Sequence, residues 1–128
     1  NEYLKFCVVR NPYDKMVSWY HWYIFENKIP PNYPFNHFCR FYQISNFYIH
    51  GIDGEPVCDY FIRFENLEED IIKLCVKLGI KDYNIGVLPK HKSVRPKDNG
   101  YREYYDEETR KLVYENHREE FKLFGYEF

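Results

Sequence analysis

Arg10, Asn11, Pro12 and Ser18 have the types and spacing to hold a phosphate-like anion. Arg10 offers a permanently charged planar fork that grips a phosphate through two hydrogen bonds. Asn11 suits the cap of a helix, and Pro12 fits its first position, where a missing N–H costs nothing. Ser18, six residues past Pro12, stands roughly 9 Å along the axis on the face shared with Asn11, Asp14 and Lys15. A plainer use exists for both side chains. Arg10 can pair with an acid, and the Ser18 hydroxyl can bond back to the Asp14 carbonyl.

The elements that must position these residues are legible. Leu4 and Phe6–Val9 form an apolar run broken only by Lys5, which predicts a strand covered on both faces in a parallel α/β sheet. The helix that follows starts at Pro12 and runs to about Glu26 or Asn27, with Val17, Tyr20 and Ile24 buried and Pro30-Pro31 ending it. A strand leading directly into a helix places unpaired N–H groups and a positive dipole end at the carboxyl edge of the sheet, a natural anion site. His21 in the same helix has two uses, as packing among aromatics or as a base toward a hydroxyl.

Further along, Phe35, Phe38, Cys39 and Tyr42 predict a short amphipathic helix within 34–46, and 57–64 has strand content. Asn66 with Glu69 reads as a capping box for a helix that stops at Gly79. Residues 88–102 read as a loop in which Lys90, Lys92, Arg95, Lys97 and Arg102 face one acid, Asp98. Such a cationic loop could close over an anionic ligand, or simply be solvated. Asp106 caps a last helix from Glu107 to about His117.

Composition narrows the function classes. A chain of 128 residues suits one domain, and 14 Tyr, 11 Phe and 2 Trp predict a core of rings with hydroxyl handles. A net charge of -2 without a basic stripe argues against nucleic acid as a partner. No apolar run is long enough for a membrane span. Cys7, Cys39, Cys58 and Cys75 are widely separated and read as free thiols, and neither cysteines nor histidines cluster at metal spacing.

The string V-V-R-N-P-Y-D-K-M-V-S-W-Y resembles the 3′-phosphate-binding segment of sulfotransferases that use 3′-phosphoadenosine 5′-phosphosulfate (PAPS). R-F-E-N-L-E-E-D resembles a later segment of the same family, the loop before Y-R-E-Y-Y resembles that of its bacterial-type members, and the ending V-Y-E-N-H-R-E-E-F-K-L-F-G-Y-E-F resembles the closing segment of the carbohydrate-type members. The resemblance implies an α/β fold of the P-loop NTPase-like three-layer kind, with a short parallel sheet flanked by helices. It also implies that the family's first strand and 5′-phosphosulfate loop lie upstream of Asn1, so that the chain reads as one incomplete domain. By position, Arg10 and Ser18 take the 3′-phosphate, and Ser93 and Arg95 map onto a loop that contacts the same nucleotide. His91-Lys92 stand where relatives carry Asn, and Glu120 where the family has Asp.

The implied reaction moves a sulfuryl group from PAPS, without a metal, to a hydroxyl on a carbohydrate acceptor. The catalytic base is not among the matched positions. A strand edge left unpaired by the absent first strand would invite a second copy of the chain. Two rival readings share the layout: a nucleotide-binding, kinase-like P-loop protein, and a non-catalytic interaction domain that keeps the fold without the donor site.

Overall fold

The structure, a computed structural model, describes residues 3–43, 57–82 and 94–128. The chain divides into two compact units. The first holds strands β1 (Phe6–Val9) and β2 (Tyr60–Arg63) with a helix that becomes α3 in chain order (Leu67–Lys77); the second holds α1 (Pro12–Phe25), α2 (Phe35–Phe41), α4 (Glu107–Asn116) and α5 (Arg118–Phe124). The protein is therefore a mixed α/β chain with a small parallel sheet.

In the first unit β1 and β2 pair in parallel, with Phe6 opposite Tyr60 and Val9 opposite Arg63. Just before the ladder, Asp59 N–H donates to the Lys5 carbonyl at 2.7 Å, and Lys5 N–H donates to the Asp59 carboxylate at 3.0 Å. The sequence predicts β1 covered on both faces; instead Phe6 is 53% and Val8 45% exposed. Alternate side chains of a strand share one face, and among the described residues that face of β1 is left open.

α3 also departs from the sequence in one detail. Asn66 makes no side-chain cap, because the chain enters α3 through a 3₁₀ turn at Phe64–Asn66 and not from the extended backbone that a capping side chain needs. Asp70 serves the junction with β2, its carboxylate accepting from Arg63 N–H at 2.8 Å. The sequence spacing predicts a buried stripe of Leu67, Ile71, Leu74, Cys75 and Leu78, of which only Leu74 is buried, and Leu78 is exposed. The stop at Gly79 is as expected: its φ of 72° completes a Schellman end in which Ile80 N–H donates to the Cys75 carbonyl.

The second unit is built from rings. Tyr13, Met16 and Tyr20 of α1 join Ile29, Phe38, Cys39, Val113 and Phe121 in one buried cluster. Phe38 is fully buried, stacked on Tyr42 at 5.1 Å and edge-on to Tyr20 and Tyr23. Buried hydroxyls find carbonyls: Tyr105 donates to Tyr13 O at 2.7 Å, and Tyr20 donates to Tyr33 O. α1 ends before the prolines assigned to stop it. Asn27 adopts φ 56° and Lys28 N–H returns to the Tyr23 carbonyl, a Schellman end with Asn in the glycine place.

Two charged features organise the C-terminal helices. Asp106 caps α4 as expected, accepting from Thr109 N–H at 2.7 Å. Lys15, which the sequence places on the face of Asp14 and Ser18, is buried and donates to both Glu120 oxygens at 2.9 and 3.1 Å, while His117 Nδ1 lies 2.9 Å from the same carboxylate. Burial alone would raise the Glu120 carboxyl, but the His117 hydrogen bond and the Lys15 ammonium outweigh it and hold the group below its ordinary value. This triad ties α5 to α1. The sequence predicts α4 to end at about His117, as it does, but not the separate helix α5 that follows at once.

The four cysteines are free thiols, of which Cys39 is buried. Burial raises the Cys39 thiol to about 12, and burial together with a hydrogen bond to Cys58 raises Cys7 to about 12. Among the described residues no three His, Cys, Asp or Glu side chains group as metal ligands, and no helix is long and apolar enough to cross a membrane.

Candidate functional site

In the first unit, two of the sequence strings meet at the carboxyl ends of the strands. Arg10 follows β1 and Phe64 follows β2, and because Val9 is in register with Arg63 the two become neighbours. The Arg10 guanidinium lies over the Phe64 ring, 4.0 Å from its centroid. That cation–π contact orients the planar fork at the edge where open α/β sheets bind ligands. Phe64 was not among the residues singled out from the sequence. The signal for it is the parallel pairing of the two strings, which a single strand pattern does not contain.

In the second unit, the start of α1 offers less to an anion than its sequence implies. The Asn11 carbonyl oxygen of the side chain already takes the Tyr13 N–H at 3.1 Å, Pro12 has no N–H, and the Asp14 carboxylate stands in the first turn. Asn11 Nδ2 in turn donates to the Glu127 carbonyl at 2.9 Å. Ser18 is half-buried within α1, and among the described residues its hydroxyl has no hydrogen-bond partner, so the back-bond to Asp14 is not made.

Around Ser18 the chain from Arg95 to Tyr104 grips α1 at two points. Arg95 Nη1 donates to Asp14 at 2.6 Å, and its Nε and Nη2 donate to the two oxygens of Asp98 at 2.9 and 3.2 Å. Seven residues along α1 from Asp14, His21 Nε2 lies 2.9 Å from the Tyr104 hydroxyl, which donates to Asp98 at 2.9 Å. Asp14 and His21 are roughly 10 Å apart along one face, with Ser18 between them. Gly100 N–H closes the turn by donating to Asp98 at 3.0 Å. The structure thus brings Ser18 and Arg95 to one helix face. Arg10 belongs to the other unit, and Ser93 lies outside the described residues.

The electrostatics of this network follow from its hydrogen bonds. Arg95 holds the Asp98 carboxyl down at about 2, assisted by Gly100 and Tyr104. Burial works against the Arg95 charge, but Asp98 and Asp14 together keep the guanidinium well above its ordinary value. Asp14 and Asp98 together take three of the five Arg95 N–H groups. Tyr104 gives its single proton to the ionised Asp98 and rises to about 12, burial being the larger cause. Its oxygen therefore accepts from His21 Nε2–H, which leaves Nδ1 unprotonated.

Burial, with Arg95 second, lowers the His21 imidazole below its ordinary value, and Asp98 opposes this. Asp98→Asn should therefore move the His21 titration further down and Arg95→Ala should move it up, read from the ring protons by NMR. Shifts of the opposite sign would contradict the network. Asp98 and Tyr104 were missed as site residues, although a lone acid in a basic loop two residues before a glycine is the pattern of a side-chain-closed turn.

Fold and site define a mixed α/β protein with an arginine at the carboxyl edge of a parallel strand pair and a serine on a following helix. The chain belongs to the same family as an uncharacterized protein of Archaeoglobus fulgidus, with 36% identity over an alignment 87 residues long that covers 62% of this chain and 71% of that protein. No protein-family profile matches the chain, and no solved structure does.

Proposed function

We propose that this protein carries the 3′-phosphate-binding half of the donor site of a PAPS-dependent sulfotransferase acting on a carbohydrate hydroxyl, on a partial P-loop NTPase-like three-layer fold. The observation that carries the reading is the seating of Arg10 at the end of β1, its guanidinium oriented by Phe64. The ordered string around it, with the uncommitted Ser18 hydroxyl on α1, supports the same reading. By the resemblance of the string, Arg10 would supply a bidentate cation and Ser18 a hydrogen-bond donor to the 3′-phosphate. Bound PAPS supplies the sulfuryl group: the acceptor oxygen bonds to sulfur in line as the bond to the phosphate oxygen breaks, and the acceptor proton passes to a base. The role of these residues is to bind and orient the nucleotide, a positioning effect that lowers the entropic part of the barrier.

Calorimetric titration with 3′-phosphoadenosine 5′-phosphate, beside 5′-AMP and ATP with Mg²⁺, tests the reading. The expected result is binding of the first alone, weakened about 10- to 100-fold in Arg10→Ala through loss of a charged hydrogen-bond pair. Preference for ATP with Mg²⁺ would instead favour a kinase-like protein, and indifference to all three a non-catalytic domain.

A further inference from the structure

The second unit has a groove across α4 that the donor-site reading does not use. Cavities of about 300 and 350 Å³ share Tyr13, Arg110 and Tyr114 as walls. Glu107, Lys111 and Glu115 complete the first, at helical spacings that put them on the same side of α4. Tyr126 and Phe128 flank the second. Each volume is at the lower end of the range of small-molecule sites, about 300–1,000 Å³. Tyr13 and Ser18 are five residues apart on α1, which turns them about 140° from one another round the axis.

The walls combine open ring faces with matched charges. Tyr114 is 43% exposed and stacks one face on Phe121 at 5.3 Å, which leaves the other to the groove. Phe128 stands edge-on to Tyr13 at 4.9 Å, with the Arg110 guanidinium 4.1 Å from its centroid. Glu107 pairs with Lys111 at 3.7 Å and Glu115 with Arg118, while Glu127 lines the second cavity with Arg110. A nucleotide or other anion would meet carboxylates, and a purely apolar ligand would bury these charges against nothing. A ligand with apolar C–H faces and many neutral hydroxyls fits both the rings and the paired donors and acceptors.

We propose that this groove binds a neutral oligosaccharide, with a sugar ring stacked on Tyr114 and its hydroxyls bonded to Arg110 and the flanking glutamates. Identifying that sugar as part of the sulfuryl acceptor rests on the proposed function; the binding itself does not.

The test applies the labelled chain to an array of neutral and anionic glycans, with saturation-transfer NMR on the neutral ones. Expected is retention of neutral glycans, reduced at least tenfold in Tyr114→Ala and Arg110→Ala by loss of stacking and of a charged donor. Tyr114→Leu, which keeps a side chain against Phe121, should lose glycan equally while retaining the far-ultraviolet dichroism of the parent. No neutral glycan bound, preference for anionic glycans, or unchanged retention in both Tyr114 variants would overturn the inference. Nucleotide binding without glycan binding removes this inference alone. Glycan binding without nucleotide binding removes the sulfotransferase reading alone.

Discussion

Glu120→Gln should destabilise the protein by about 3–5 kcal/mol, the cost of leaving a buried charge without its partner. Glu120 is 1% exposed, and its carboxylate accepts both the Lys15 ammonium and the His117 ring, so the amide strands Lys15 inside α1 and α5. Urea denaturation followed by far-ultraviolet dichroism measures this; a loss under about 1 kcal/mol would show that the triad contributes no more than a surface ion pair. The same group sets a direction in pH. Its folded value lies below the unfolded 4.5, so its contribution is fully present above that value and is lost as pH falls through the folded one. Acid destabilisation of the parent should accordingly be steeper than that of Glu120→Gln.

Phe38→Ala should be of similar size, about 3–5 kcal/mol, because a large ring is removed from a fully packed site and the cavity cannot collapse against other rings. Phe38 is 0% exposed and touches Tyr20, Tyr23 and Tyr42 through ring contacts of 5.1–5.5 Å, joining α1 to α2. Phe38→Leu fills more of the space and should cost clearly less. Equal losses for the two variants would show that packing volume does not set the effect.

What could be read from the sequence was whatever depends on near neighbours. The start of α1 at Pro12, the cap at Asp106, the stop at Gly79 and the ring-rich core all follow from local pattern, and each stands in the structure. Features that depend on distant partners were not legible. Nothing near Lys15 in the chain marks it as buried until Glu120, 105 residues on, is placed against it. The Asn66 and Glu69 spacing suggests a capping box, but the way β2 hands over to α3 through a 3₁₀ turn removes the geometry it needs. At the candidate site the same division holds. Arg10 and Ser18 are conspicuous in the sequence, whereas Phe64 under Arg10 and Asp98 holding Arg95 emerge only from pairing and turn geometry.

The exposed side of α1 has a practical consequence for how stability is followed. Both tryptophans of the chain, Trp19 and Trp22, sit there, 38% and 39% exposed, beside Tyr23 and Phe25. Tryptophan fluorescence is therefore a reporter for one helix. An unfolding curve taken from it follows the surroundings of α1, while β1, β2 and α3 carry no tryptophan of their own. Only a probe of backbone structure, read beside it, registers both units.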